Sequence, residues 1–323
     1  PLLEYLVARF DRLRIVAIRQ KLFPHLSEDC WLLFATGFGG SASSIEFAPI
    51  ENFGEYREDM PAEAVPVHEW RRMWNRRLRP YLLNDAQRST YQNTVRRSDS
   101  SRLGFAASVG IGYVSGDNDF FHLRPSEAAR WAIPDQFLHP TVRNARILPS
   151  RTLSHQTVEE WRQADEPMLL LRLPKSVKQL PASVAAYLSS EKGQLARQSY
   201  KCRNRRPWYS IPDVRVPAFF LTYMSGVSPS LVRNAAAATC TNALHAVHLR
   251  NGIDGERLMD AWHSAFVELS CELEGHALGG GMLKLEPREA SRVVIPSASA
   301  LDELNETDLR DAVGTLRRWR HYV

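Results

Sequence analysis

The chain has 323 residues, 44% of them hydrophobic and 24% charged, which excludes wholesale disorder and suggests about two domains. No apolar run approaches the roughly 18 residues of a transmembrane helix, and the start Pro1-Leu2-Leu3-Glu4 lacks the features of a signal peptide. The formal charge of +5 is unevenly spread, because residues 61–220 hold 25 basic and 14 acidic groups while residues 1–60 and 221–323 each sum to −3.

A basic centre of net +11 fits a polyanion partner, most often nucleic acid, or an arginine-rich solvated surface. Composition does not separate the two. The missing initiator Met gives the expectation of a piece of something longer or a processed product. The cysteines at 30, 202, 240 and 271 show no CxxC spacing, so reduced thiols in a cytoplasmic protein are expected.

Residues 2–11 read as a helix with Leu3, Leu6, Val7 and Phe10 on one face. Apolar runs at 13–18 and 30–35, then the alternating Ile45, Phe47 and Pro49, read as strands buried on both faces, as in α/β folds. The charged, proline-containing stretch 54–66 reads as a linker. Next, Trp70, Met73, Trp74 and Leu78 fall at helical spacing. Arg71, Arg72, Arg76 and Arg79 point elsewhere, as a solvated basic face or as phosphate contacts.

Residues 84–102 are polar and are expected to be mobile. From Gly104 onward short strands and turns dominate, with helices expected at 126–133 and 181–192. Strand-like runs follow in 214–249 and a helix around 255–274. The amphipathic tail 302–320 carries Leu309, Ala312, Val313, Leu316 and Trp319 in step and ends in Arg317, Arg318 and Arg320.

Known chemistry is mostly absent from the sequence. GxxxxGK[ST], HExxH, GxSxG and GxGxxG do not occur. Gly110, Gly112 and Gly116 miss the dinucleotide spacing and suit a tight strand–turn better. His245 and His248 would share a helix face, but a metal site needs a further ligand. Asp117 and Asp119 suggest turn chemistry before a metal nuclease site. The densest local signal is Lys201-Cys202-Arg203-Asn204-Arg205-Arg206-Pro207-Trp208-Tyr209, where four cations and two aromatics lie in nine residues. Arginine holds phosphate or a base edge in two parallel hydrogen bonds, and Trp and Tyr offer flat surfaces.

The strings GYVSGDNDFF (112–121), KCRNRRPWY (201–209) and GHALGGGMLKLEP (275–287), in this order, resemble one family. They are similar to the C-terminal target recognition region of TaqI-like adenine-specific DNA methyltransferases of restriction–modification type. LLEYLVARF, RIVAIR, KLFP and WLLFA in the first 50 residues resemble the closing strands of that family's catalytic domain. The resemblance implies the tail of an α/β methyltransferase sheet (1–60), a basic helical linker (61–102) and a mixed α+β target recognition domain (103–323). It also implies S-adenosylmethionine for the complete enzyme and double-stranded DNA as partner.

The chain has no Pro-Pro dipeptide, so the family's adenine-gripping Asn-Pro-Pro-aromatic motif is missing, and so is the upstream cofactor loop. No catalytic, cofactor or metal residue is therefore assigned on this chain. The resemblance implies DNA contacts, mainly to phosphates, from Arg71, Arg72, Arg76, Ser115, Asn118, Lys201, Arg203, Arg205, Arg206, Trp208, Tyr209 and Lys284. The alternatives are a non-catalytic subunit that docks on a separate catalytic chain, or the specificity portion of a fused restriction endonuclease–methyltransferase.

Overall fold

The computed structural model describes residues 2–26, 29–176 and 179–322. Helix α1 (Leu2–Val7) leads into a hairpin of β1 (Phe10–Ile18) and β2 (Trp31–Phe38). The helix is shorter than the apolar periodicity predicts because Phe10 pairs with Phe38 across the hairpin, their rings 5.4 Å apart and edge-on. Strand β3 (Ser44–Ile50) runs parallel to β1, and β4 (Glu63–Pro66) closes the sheet antiparallel to β3, giving the order β2-β1-β3-β4.

Strand β4 thus falls within the stretch expected to be a linker. Its Val65 faces Ile45 and is fully buried, so one apolar side chain in a charged segment was enough to add a strand. Pro66 sits at the sheet edge, where its missing N–H costs no ladder bond.

Helix α2 (Val67–Arg72) is also shorter than the spacing predicts. Asn75 and Arg76 take positive φ of 49° and 64°, which ends the helix and turns the chain. Trp70, Trp74, Leu78 and Tyr81 are buried all the same, so the apolar pattern continues through the turn. Residues 84–102 correct the expectation of a mobile stretch. Asn84 and Gln87 form a capping box that starts helix α3 (Asp85–Arg96), and Tyr91 stacks between Trp74 and Phe266. The polar face of α3 misleads because one aromatic ring does most of its anchoring.

The remaining chain is mixed α and β. A four-stranded sheet runs Thr239–Cys240, Leu138–Val142, Leu169–Leu171, His122–Leu123, and a five-stranded one Ala107–Ile111, His245–Leu249, Phe219–Leu221, Leu231–Asn234, Thr152–Leu153. The helices expected in the middle appear as Pro125–Arg130, Ala182–Ser189 and Glu191–Gln198. The helix expected around 255–274 is split into Gly255–Trp262 and Ala265–Glu274, with Ser264 capping the second. Among the described residues no helix is long and apolar enough to cross a membrane.

The buried side chains do not respect sequence order. One cluster joins Leu13, Ile45, Trp70, Trp74 and Tyr91 to Phe266, Leu269, Leu309, Val313 and Leu316. The amphipathic tail, observed as helix Glu306–Trp319, packs mainly on helix Ala265–Glu274 and also on α3, within the core that the N-terminal sheet shares. A second cluster holds Tyr113, Phe120, Phe121, Leu169–Leu171 and Cys202, and a third holds Leu103, Phe219, Trp262 and Leu283.

A buried ion network fastens the tail. The Glu272 carboxylate meets Arg320 at 2.7 Å, Arg79 at 2.6 Å and Arg317 at 3.7 Å. Arg320, fully buried, also donates to the carbonyls of Gly281 and Val227. Arg79 donates to the Leu316 carbonyl at 3.0 Å, and burial pulls its guanidinium down to about 10. Of the arginines that end the tail, Arg320 is thus buried and Arg317 partly so, while Arg318 is exposed.

Candidate nucleic-acid interface

The first two motifs form one junction. Gly112 lies against the next strand so closely that a Cβ would meet the carbonyl oxygens of Thr241 and Cys240 at 2.2 and 2.4 Å. Gly116, at φ +97°, turns the chain beneath residues 201–205. Asp117 then caps the short helix Asn118–Phe121 by accepting the Phe120 N–H at 2.9 Å, and Ser115 Oγ donates to Asn118 Oδ1 at 2.6 Å. Asp119 pairs with Arg143 at 3.4 Å.

Opposite this turn, Ser199 caps the single helical turn Tyr200–Arg203. Its Cys202 is fully buried, with Sγ 3.9 Å from the Ser115 carbonyl. Arg205 donates to the carbonyls of Ser115 and Val114, the latter at 2.6 Å, and burial lowers its pKa. Trp208 is half-buried, its ring 5.6 Å from Phe120 and 6.4 Å from Phe121. Tyr209 lies edge-on to Trp208 at 5.9 Å. Arg205, Trp208 and Tyr209 thus join one motif to the other.

Lys201, Arg203 and Arg206 face outward and make no ion pair among the described residues. Between the first two stands Tyr200, 67% exposed, with Lys201 Nζ 5.9 Å and the Arg203 guanidinium 5.4 Å from its ring. Tyr200 was missed in the sequence, where it sits one residue before the matching string. Its signal was an aromatic preceding a basic run on a capped turn. The arrangement presents a flat ring and three cations on a mount held from behind, which suits a phosphate backbone.

The other expected contacts lie over different cores. Arg71 and Arg76 both pair with Glu4, holding that carboxyl below its usual range, while Arg72 is exposed on α2. Lys284 pairs with Glu286 at 2.5 Å, which raises the amine and lowers the carboxyl. His245 and His248 correct the reading of a shared helix face. They lie three apart on strand His245–Leu249 and so project to opposite faces. His245 bonds the Leu285 carbonyl at 2.8 Å. Among the described residues no cluster of three His, Cys, Asp or Glu is placed to hold a metal ion.

The junction makes one mutation informative. Gly116→Ala would place a Cβ 2.9 Å from Cys202 Sγ and 3.1 Å from Lys201 Cβ, on a backbone that disfavours any side chain. A loss of about 1–3 kcal/mol is expected, read as a lower urea midpoint. A variant as stable as the parent would remove this turn from the mount.

Residues 75–320 match the family model described as Type II methyltransferase M.Eco57I, C-terminal domain. The chain is 18% identical over 222 residues to Type II methyltransferase M.AccI of Acinetobacter calcoaceticus, covering 68% of this chain and 41% of that protein. It is 28% identical over 202 residues to Type II methyltransferase M.XamI of Xanthomonas campestris pv. amaranthicola, covering 62% and 37%. The chain thus matches about two-fifths of the length of these relatives. The structure of the type IIG restriction endonuclease BpuSI aligns with 97% of this chain and 39% of its own, at 13% identity and a TM-score of 0.44.

Proposed function

Matched over residues 75–320, the chain belongs to the family of the Type II methyltransferase M.Eco57I C-terminal domain, and from that premise we propose that it is the DNA target recognition part of a site-specific adenine methyltransferase of a restriction–modification system. The observation that carries this reading is the outward turn of Tyr200, Lys201, Arg203 and Arg206 on its buried mount. Its role is to hold duplex DNA in register by the phosphates, since contacts of this kind position and do not themselves specify sequence. An adenine amine is reached only after the base leaves the stack, so the grip must tolerate a distorted duplex.

Methyl transfer itself falls to a catalytic part that supplies S-adenosylmethionine and the adenine pocket. No residue of this chain is assigned to that cofactor, because neither the upstream glycine-containing cofactor loop nor the Asn-Pro-Pro-aromatic motif that the resemblance implies occurs in this sequence. A cytoplasmic location goes with the same reading.

The test is fluorescence anisotropy of a labelled duplex between about 50 and 200 mM salt. Affinity should fall with a log–log slope of about −0.9 per phosphate contacted. Arg203→Ala with Arg206→Ala should flatten that slope by about two, one per cation. Duplex binding that ignores salt, or none at all, sinks the proposal.

Strand β2 favours a second reading, a non-catalytic subunit docked on a separate catalytic chain. It is the open edge of its sheet and exposes Trp31, Leu33, Phe34 and Phe38, a surface that invites another strand. Size-exclusion chromatography of the chain mixed with a catalytic methyltransferase part separates the readings. A stable complex supports docking, and two unshifted peaks reject it.

A further inference from the structure

Away from the basic turn, a cavity of about 210 Å³ opens between α2, α3 and the end of helix Ala265–Glu274. An enclosed space of roughly 150 Å³ already holds a benzene ring, so this one admits a single heteroaromatic ring system. One wall is aromatic: Trp74 stacks on Tyr91 at 6.0 Å and 21°, and Tyr91 is itself fixed by Phe266 behind it. At the floor lies the Glu274 carboxylate, its side chain 9% exposed.

Glu274 Oε2 is buried and receives no hydrogen bond among the described residues, and the nearest cation, Arg102, stands 3.8 Å from Oε1. A buried acceptor without a donor costs about 1–3 kcal/mol, so such an atom in a cavity wall is a position for a ligand N–H. Burial raises the Glu274 pKa although Arg77, Arg102 and Arg292 all oppose it. Arg72 and Arg96 also line the cavity, are exposed, and form no ion pair among the described residues.

An aromatic wall, a buried acceptor and two outer cations match one ligand chemistry. We propose that this cavity binds a single nucleotide, with the base against Trp74 and Tyr91, a base N–H donated to Glu274, and the phosphate held by Arg72 and Arg96. Guanine offers two adjacent N–H donors to a carboxylate, adenine and cytosine an amino group, and thymine only a ring N–H flanked by repelling carbonyls. The expected order is therefore GMP first, AMP and CMP next, TMP last. The nucleotide is either free or an extrahelical residue of DNA, and only the second source rests on the DNA-recognition reading.

Titration calorimetry of the whole chain with GMP, AMP, CMP, TMP and inorganic phosphate tests the site. Saturable GMP binding at least tenfold tighter than TMP or phosphate is expected. Glu274→Leu should abolish the order among bases. Arg72→Glu with Arg96→Glu should weaken every nucleotide about tenfold and keep the order. If circular dichroism shows Glu274→Leu unfolded, the arginine pair decides, since both side chains are exposed.

A duplex with one bulged guanine, compared with a bulged thymine and an intact duplex, identifies the source. Tighter binding of the guanine bulge, competed by GMP, marks DNA, and GMP binding without it marks the free nucleotide. Duplex binding with no saturable GMP binding overturns the cavity proposal alone. GMP binding with no duplex binding overturns only the DNA-recognition reading.

Discussion

Replacing Glu272 with Ala is expected to destabilise the fold by about 3–5 kcal/mol, the usual cost of breaking a buried ion pair from one side. Three guanidiniums depend on this carboxylate. Arg320 is fully buried, and Arg79 already shows burial working against its charge. Without Glu272, Arg320 and Arg79 keep their carbonyl partners at Gly281, Val227 and Leu316 but lose the carboxylate that pairs with them, while Arg317 keeps Glu268 at 2.8 Å.

Glu272→Gln keeps the shape and should cost nearly as much, which separates charge from packing. A repacked pair, Glu272→Leu with Arg320→Met, should regain part of the loss, because a buried ion pair is expensive to desolvate in the first place. Urea midpoints of the four proteins measure this. A Glu272→Ala loss under about 1 kcal/mol would mean that the network contributes no net stability.

Acid should unfold the chain through His122. Its ring is buried beside Tyr113, whose hydroxyl lies 2.8 Å from Nε2 and 2.7 Å from Thr141 Oγ1. Burial first, and Arg143 second, pull its pKa down to about 3. An unfolded chain protonates this ring near its ordinary value of about 6.5, so below that pH protons favour the unfolded state until the folded ring also titrates.

At about 1.4 kcal/mol per pH unit, His122 accounts for roughly 3 kcal/mol lost between pH 6.5 and 4. His139, His245, His248 and His263 are also lowered by burial and add in the same direction. Glu274, raised by burial, acts with the opposite sign over the carboxylate range. The comparison is therefore with His122→Gln, which keeps a hydrogen-bonding side chain and does not titrate. Its urea midpoint should be lower at pH 7 and should fall less steeply toward pH 4. Equal slopes for the two proteins would exclude His122 as the acid trigger.

What could be read in the sequence was whatever depends on near neighbours. Strands β1 and β3 are legible because apolar patterns such as Leu13–Ile18 mark a buried strand, and helix Glu306–Trp319 because its apolar residues recur at helical spacing. Strand β2 forms where the run at 30–35 places it, but the expectation that it is buried on both faces fails, because it is the open edge of its sheet and exposes Trp31, Leu33, Phe34 and Phe38. Asn84 and Gln87 were visible as residues, but their capping box was overlooked beside the polarity of α3. Strand β4 rests on Val65 alone and left almost no pattern.

The sequence by itself determined the family, the three motifs and the basic centre, because residue identity and order carry these. Only the tertiary structure decided how the basic residues are used. Arg205 and Arg320 look like Arg203 and Arg206 in a string of letters, yet the first two are held by carbonyls or a carboxylate and the last two face solvent. A guanidinium commits to whichever acceptors the fold brings within about 3 Å. Those acceptors, at Ser115 for Arg205 and Glu272 for Arg320, lie 90 and 48 positions away along the chain.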